Sequence, residues 1–96
     1  MIETIAYKDL KWLDITNPSE DDYDMLLDDY HFHPLDIEDC RGTNQRPKID
    51  EYDDYYFLIL HFPYFDKGNQ FIRIREVKIF WGRDYIITVG KAHWVV

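Results

Sequence analysis

The stretch Tyr55 to Phe62, YYFLILHF, constrains the fold more than any other part of the chain. Seven of its eight side chains are large and apolar or aromatic, and the eighth is His61. Asp53-Asp54 precedes it and Pro63 follows it, so it is too short and too sharply fenced for a buried helix. Aromatic and β-branched residues also favour the pleated surface of a strand. Tyr56, Leu58, Leu60 and Phe62 would share one face. Tyr55, Phe57, Ile59 and His61 would share the other. A strand apolar on both faces belongs in the middle of a sheet covered on both sides.

The chain has 96 residues, enough for one small domain. A domain of this size buries only about two-thirds of its surface on folding. Yet 46% of the residues are hydrophobic and 18% are aromatic. Either the core is packed with rings or some apolar surface meets another chain. No apolar run approaches the ~18 residues that span a bilayer. The opening residues MIETIAYKDL lack the basic start and apolar middle of a signal peptide. Cys40 is the only cysteine, which points to a reducing compartment.

The net charge is −8, and it is unevenly spread. From Asp14 to Asp39 there are ten acids and no Lys or Arg. From Asp66 to Val96 there are six bases against three acids. An acidic surface repels phosphate backbones, so nucleic acid is not an expected partner. Most of the ten acids read as a solvated helix face, and some as a surface that attracts cations.

Taken in order, residues 3–8 and 10–15 read as two short strands, with Trp12 anchored in the core. Asn17 then caps a helix, with Pro18 at its first position and Glu20 completing a capping box. Tyr23, Leu26, Leu27 and Tyr30 form one apolar stripe. That helix is expected to end near His31-Phe32, since the residue before Pro34 is biased to extended backbone. Pro34 opens a shorter helix to about Cys40, with Leu35 and Ile37 facing inward. Arg41 to Gln45 is a loop. Lys48 to Tyr52 alternates around a half-buried Ile49 and reads as a short strand. After the central strand, Asp66-Lys67-Gly68-Asn69 makes a hairpin turn. Phe71 to Trp81 is a long strand, Gly82-Arg83-Asp84 a turn, and Tyr85 to Val89 a last strand. The tail GKAHWVV is ambiguous. The order predicts an α+β domain, a mixed and mainly antiparallel sheet with two short helices between the early strands and a C-terminal strand meander.

Catalysis finds little support. Ser19 is the only serine and sits at a helix start. Cys40 has no basic partner beyond Arg41 and reads as a buried, inert thiol. His31-x-His33 has no second Cys/His pair at zinc-site spacing. His61 reads as a sheet residue with a satisfied hydrogen bond. The four glycines are isolated, so there is no phosphate loop. What remains is the carboxylate set Asp36, Glu38 and Asp39. Hard cations such as Mg²⁺ take oxygen ligands, and Mg²⁺ is often held by one or two carboxylates and several waters.

Four blocks, in order, carry a resemblance. These are LKWLDITNPSEDD (Leu10 to Asp22), HPLDIEDC (His33 to Cys40), RPKIDEYDDYYFLIL (Arg46 to Leu60) and EVKIFWGRDYIITV (Glu76 to Val89). Together they cover most of residues 10–89, and the chain resembles the N-terminal cytosolic domain of CorA-family divalent-cation transporters. Two departures stand out: Gly90 follows Thr-Val where the family often has His, and few residues precede Leu10.

The resemblance implies that residues 1–96 are one domain, the N-terminal cytosolic part of a longer transporter whose stalk and transmembrane helices are absent. It implies a place at the cytoplasmic face of the membrane and a homo-oligomeric ring of identical chains. It also implies transport of Mg²⁺, or alternatively Co²⁺ or Zn²⁺, and a regulatory divalent ion, Mg²⁺ or alternatively Co²⁺ or another divalent ion, bound between subunits in the closed state. Asp39, and more weakly Glu38, would be its ligands, opposite a carboxylate from a neighbouring stalk. The other expectation, from a different class, is a free-standing α+β protein-interaction module whose aromatic sheet face binds a partner chain.

Overall fold

A computed structural model describes residues 1–42 and 45–90. The expected loop at residues 43–44 and the tail from residue 91 lie outside them. Six strands form one sheet: β1 (Ile2–Tyr7), β2 (Leu10–Thr16), β3 (Lys48–Glu51), β4 (Tyr55–Asp66), β5 (Phe71–Gly82) and β6 (Tyr85–Gly90). Their order is β1-β2-β6-β5-β4-β3. Among the described residues only the β2–β6 pairing is parallel, so the sheet is mixed and mainly antiparallel as expected. Two helices, α1 (Glu20–Asp28) and α2 (Pro34–Arg41), carry the chain from β2 to the far edge at β3.

The sheet register sorts the side chains into two faces. One row runs Thr4, Leu13, Ile87, Phe80, Phe57, Asp50 from edge to edge. Its four central members are buried, with Phe57, Phe80 and Ile87 fully so. Ile15, Val89 and Ile59 extend this core, and Tyr23 and Leu26 of α1 and Ile37 and Cys40 of α2 close over it. Phe32, between the helices, stacks on Phe80 with ring centroids 4.0 Å apart. Burying rings of this size dominates the energetics of so small a core.

Among the described residues, no helix packs over the opposite face, and several of its aromatic side chains are exposed. Its parallel row is Ile5, Trp12, Ile86, Trp81, Tyr56, Glu51. Trp81 is 51% exposed, Tyr56 41% and Trp12 37%. Trp12 is therefore not a core residue. Its indole N–H instead donates to Thr88 Oγ1 at 3.0 Å, and Thr88 donates to Asp14 Oδ1 at 2.8 Å.

The central stretch also differs from expectation. β4 lies next to the edge strand rather than in the middle of the sheet, and it has a helical cover on one face only. It does not stop at Pro63 but runs on to Asp66, paired with β5 throughout. The reason is that β3 reaches only as far as Ile59. Beyond that point β4 is an edge, where a strand tolerates proline. Ile49, on the edge strand β3, is 65% exposed rather than half-buried.

Helix α1 starts later than its sequence suggests. Ser19 is the cap, accepting from Asp22 N–H, and Asp22 accepts from the Ser19 N–H in return. Asn17 instead takes a left-handed turn at φ 49°, a conformation asparagine tolerates better than most residues. The helix ends at Asp28, short of His31. Tyr23 and Leu26 of the stripe are buried, and Leu27 and Tyr30 pack against the core's margin.

Candidate functional site: the acidic helix facing the edge strand

Helix α2 carries the three carboxylates singled out by the sequence, and it sends them to three different environments. His33 caps it, with its ring Nδ1 accepting from Leu35 N–H at 3.1 Å. Pro34 follows at the first helical position, where its missing N–H costs nothing. At 3.6 residues per turn, positions 36, 37 and 40 share one side while 35 and 38 point away. Accordingly Asp36, Ile37 and Cys40 are buried, and Leu35 is 66% exposed. The inward Leu35 expected from the sequence is thus replaced by an aspartate.

Asp36 is 1% exposed. Its carboxylate accepts from Tyr52 hydroxyl at 3.0 Å and from Tyr55 hydroxyl at 2.8 Å. The Tyr55 oxygen in turn accepts from His33 N–H at 2.9 Å. Burial raises the Asp36 carboxyl above its ordinary value, and the two hydroxyls pull it partly back. The Tyr52 phenol is pushed up to about 12, by burial first and then by the bond to Asp36. This network fastens α2 to the start of β4. It is a structural anchor, because both carboxylate oxygens are already engaged.

Asp39 lies at the margin between α2 and the sheet edge, its side chain 26% exposed. The Lys48 ammonium stands 2.8 Å from Asp39 Oδ2 and 2.9 Å from Asp50 Oδ2. Hydrogen bonds to Asp39 and then Asp50 hold that ammonium above the usual lysine value. Glu38, one residue earlier, is exposed. Asp39 and Glu38 thus both reach the surface, Asp39 already paired with a cation supplied by the chain.

Other candidates resolve into structural roles. The Cys40 thiol is 3% exposed and burial pushes it up to about 12, which suits an inert core thiol. His61 Nε2 lies 2.8 Å from the Gln45 carbonyl, a satisfied sheet residue. His33 uses its ring on the helix cap, which separates it from exposed His31. Lys78, 4% exposed, donates to the Gly42 carbonyl at 3.1 Å and holds down the end of α2. Among the described residues, no three His, Cys, Asp or Glu side chains converge as a ready-made metal cage. None of their helices is long and apolar enough to cross a membrane.

Sequence reasoning missed Lys48, Asp50, Tyr52 and Tyr55 as partners of the acidic helix. The one available signal was that Lys48 and Asp50 share a side of an alternating strand, as do Tyr52 and Asp50. Nothing local says which of those sides meets α2.

Comparison with known proteins gives a consistent result. A family model described as CorA-like Mg2+ transporter protein matches residues 7–94. The putative metal ion transporter YfjQ of Bacillus subtilis is 37% identical over 91% of this chain, which spans 27% of that relative. The cobalt/magnesium transport protein CorA of Thermotoga maritima is 25% identical over 79% of the chain, spanning 22% of that relative. Among solved structures, the soluble domain of CorA from Methanocaldococcus jannaschii superposes with a TM-score of 0.70 at 19% identity. That match covers 93% of this chain and 35% of the other. The chain therefore spans about a quarter of the length of these two relatives.

Proposed function

The chain belongs to the family of CorA-like Mg2+ transporter proteins, and from that premise we propose that it is the cytosolic sensor domain of a divalent-cation transporter. The observation that carries this reading is the family match across residues 7–94, joined to a fold like that of a CorA soluble domain. Residues 1–96 form the N-terminal part of a longer polypeptide, which continues into stalk and membrane-spanning helices. Identical chains assemble into a ring at the cytoplasmic face of the membrane.

Mg²⁺, or Co²⁺ or Zn²⁺ in its place, is held between neighbouring copies by Asp39 with Glu38 beside it. Asp39 reaches the surface with one carboxylate, and Mg²⁺ is commonly held by one or two carboxylates with several waters, so the remaining ligands would be waters and a group from a neighbour. The bound ion would supply positive charge at an interface where both sides are acidic. Asp36 contributes indirectly, because its bonds to Tyr52 and Tyr55 fix the helix that presents Asp39. Ion binding favours the closed ring to the extent that the site is better formed there than in the open one. When internal ion concentration falls, mutual repulsion of the acidic copies biases the pore open.

The test is ion flux through the longer transporter carrying this domain, with Asp39→Asn introduced. The sensor reading predicts flux that persists at millimolar internal Mg²⁺, where the parent closes. Equal closure in parent and variant would remove Asp39 from the sensor. The exposed ring face of Trp12, Tyr56 and Trp81 favours a second reading, an interaction module, and flux that ignores internal Mg²⁺ altogether would favour it.

A further inference from the structure

The cation position beside Asp39 is taken, in this structure, by Lys48. Its ammonium lies 2.8 Å from Asp39 Oδ2 and 2.9 Å from Asp50 Oδ2. Lys48 and Asp50 sit two residues apart on β3, so both point to the side of the sheet that α2 covers. The Lys48 ammonium also stands over the Phe57 ring, 5.7 Å from its centroid. Lys48 is therefore held by two carboxylates on two elements, one on α2 and one on its own strand.

We infer that Lys48 is a tethered counter-ion that competes with the divalent cation for Asp39 and sets the concentration at which the site fills. This rests on the reading of Asp39 as an ion ligand. A divalent ion approaching Asp39 meets a positive charge already hydrogen-bonded to it. For the ion to bind well, Lys48 must release Asp39. It can do so without losing all its pairing, because Asp50 remains within reach on the same strand. The exchange is one cation for another at Asp39, with Lys48 retained by Asp50. It involves no proton transfer.

The effect is electrostatic and local. Removing the ammonium from a half-exposed pair should tighten divalent binding by about three- to tenfold. A charge lost far from Asp39 should do much less, because exposed charges more than about 8 Å apart are largely screened at physiological ionic strength. Arg83 lies five residues beyond Lys78, which is in register with Lys48 through Ile59 two strands away, and provides that distant charge.

The experiment titrates MgCl₂ into the 96-residue chain and follows backbone amide shifts. The proteins are the parent, Lys48→Met, Lys48→Arg, Arg83→Met and Asp39→Asn, with the spectrum of each reporting its fold. The inference predicts tighter binding centred on α2 in Lys48→Met only. Lys48→Arg, which keeps the charge, should bind no more tightly than the parent. Equal affinity in parent and Lys48→Met, with shifts still abolished by Asp39→Asn, would overturn the competition and leave Asp39 as a ligand. Equal gains in Lys48→Met and Arg83→Met would also overturn it, as a general effect of net charge. Shifts indifferent to Asp39→Asn would overturn the ligand reading and the competition with it.

Discussion

The Tyr55 hydroxyl donates to Asp36 Oδ2 at 2.8 Å and joins the second helix to the start of β4 inside the core. Tyr52 takes the other carboxylate oxygen at 3.0 Å. Asp36→Ala would leave both hydroxyls without that acceptor. An unsatisfied buried polar group costs about 1–3 kcal/mol, so chemical denaturation should show a loss of at least that size. Asp36→Asn keeps the shape and an acceptor and should lose less.

The same pair gives a pH dependence. Burial raises the Asp36 carboxyl above its ordinary 3.8. A carboxyl raised on folding binds its proton more tightly in the native state. Its contribution is fully present below 3.8 and is lost as pH rises through the folded-state value. Asp36→Asn cannot titrate, so its stability relative to the parent should improve as pH rises from below 3.8 toward neutrality. Paired urea melts across that range measure it. A constant difference between the two proteins would contradict the assignment.

Gly82 predicts a cost of a different kind. A Cβ at this position would run into the ring of Tyr85, across the β5–β6 turn. That ring has little room to retreat, because it packs edge-on against Tyr30 with centroids 5.1 Å apart. Gly82→Ala should therefore destabilise the domain by about 1–3 kcal/mol, as overpacking does elsewhere. Gly82→Ala combined with Tyr85→Ala should cost less than the sum of the two single changes, which a double-mutant cycle would read directly.

The exposed aromatic side chains of the second sheet face predict self-association. Trp81 is 51% exposed and its ring lies 5.9 Å from that of Tyr56. Contiguous exposed apolar surface of this kind usually finds a partner. Sedimentation of the isolated chain should show a dimer or larger species that Trp81→Glu shifts toward monomer. A parent that stays monomeric at high concentration would contradict this.

The strands were legible because alternation and turn residues are local signals. β1, β2, β5 and β6 lie close to where their sequences place them. Helix α2 was legible in extent and in its inward Ile37, but not in the burial of Asp36 in place of Leu35. Leu35 is the more apolar neighbour, yet Asp36 turns inward because two tyrosines, 16 and 19 residues further on, supply its hydrogen bonds. Trp12 was misplaced for a similar reason. Its burial depends on what covers the second face of the sheet, and the strand sequence says nothing of that. The pairing of Asp39 with Lys48 crosses the loop between α2 and β3, and only the register of the edge strand creates it.

On the proposed function, Asp39 marks a specific divalent-ion site and not merely part of a diffuse acidic surface. A site of one or two carboxylates and mostly water belongs at the weak end, on the order of 10⁻³ M. The most direct measurement is an MgCl₂ titration of the parent chain at physiological ionic strength, read amide by amide and repeated with added monovalent salt. A specific site at Asp39 predicts shifts centred on Leu35 to Arg41 that survive the salt and vanish in Asp39→Asn. Small shifts spread along Glu20 to Asp29, lost in salt and unchanged by Asp39→Asn, would contradict it.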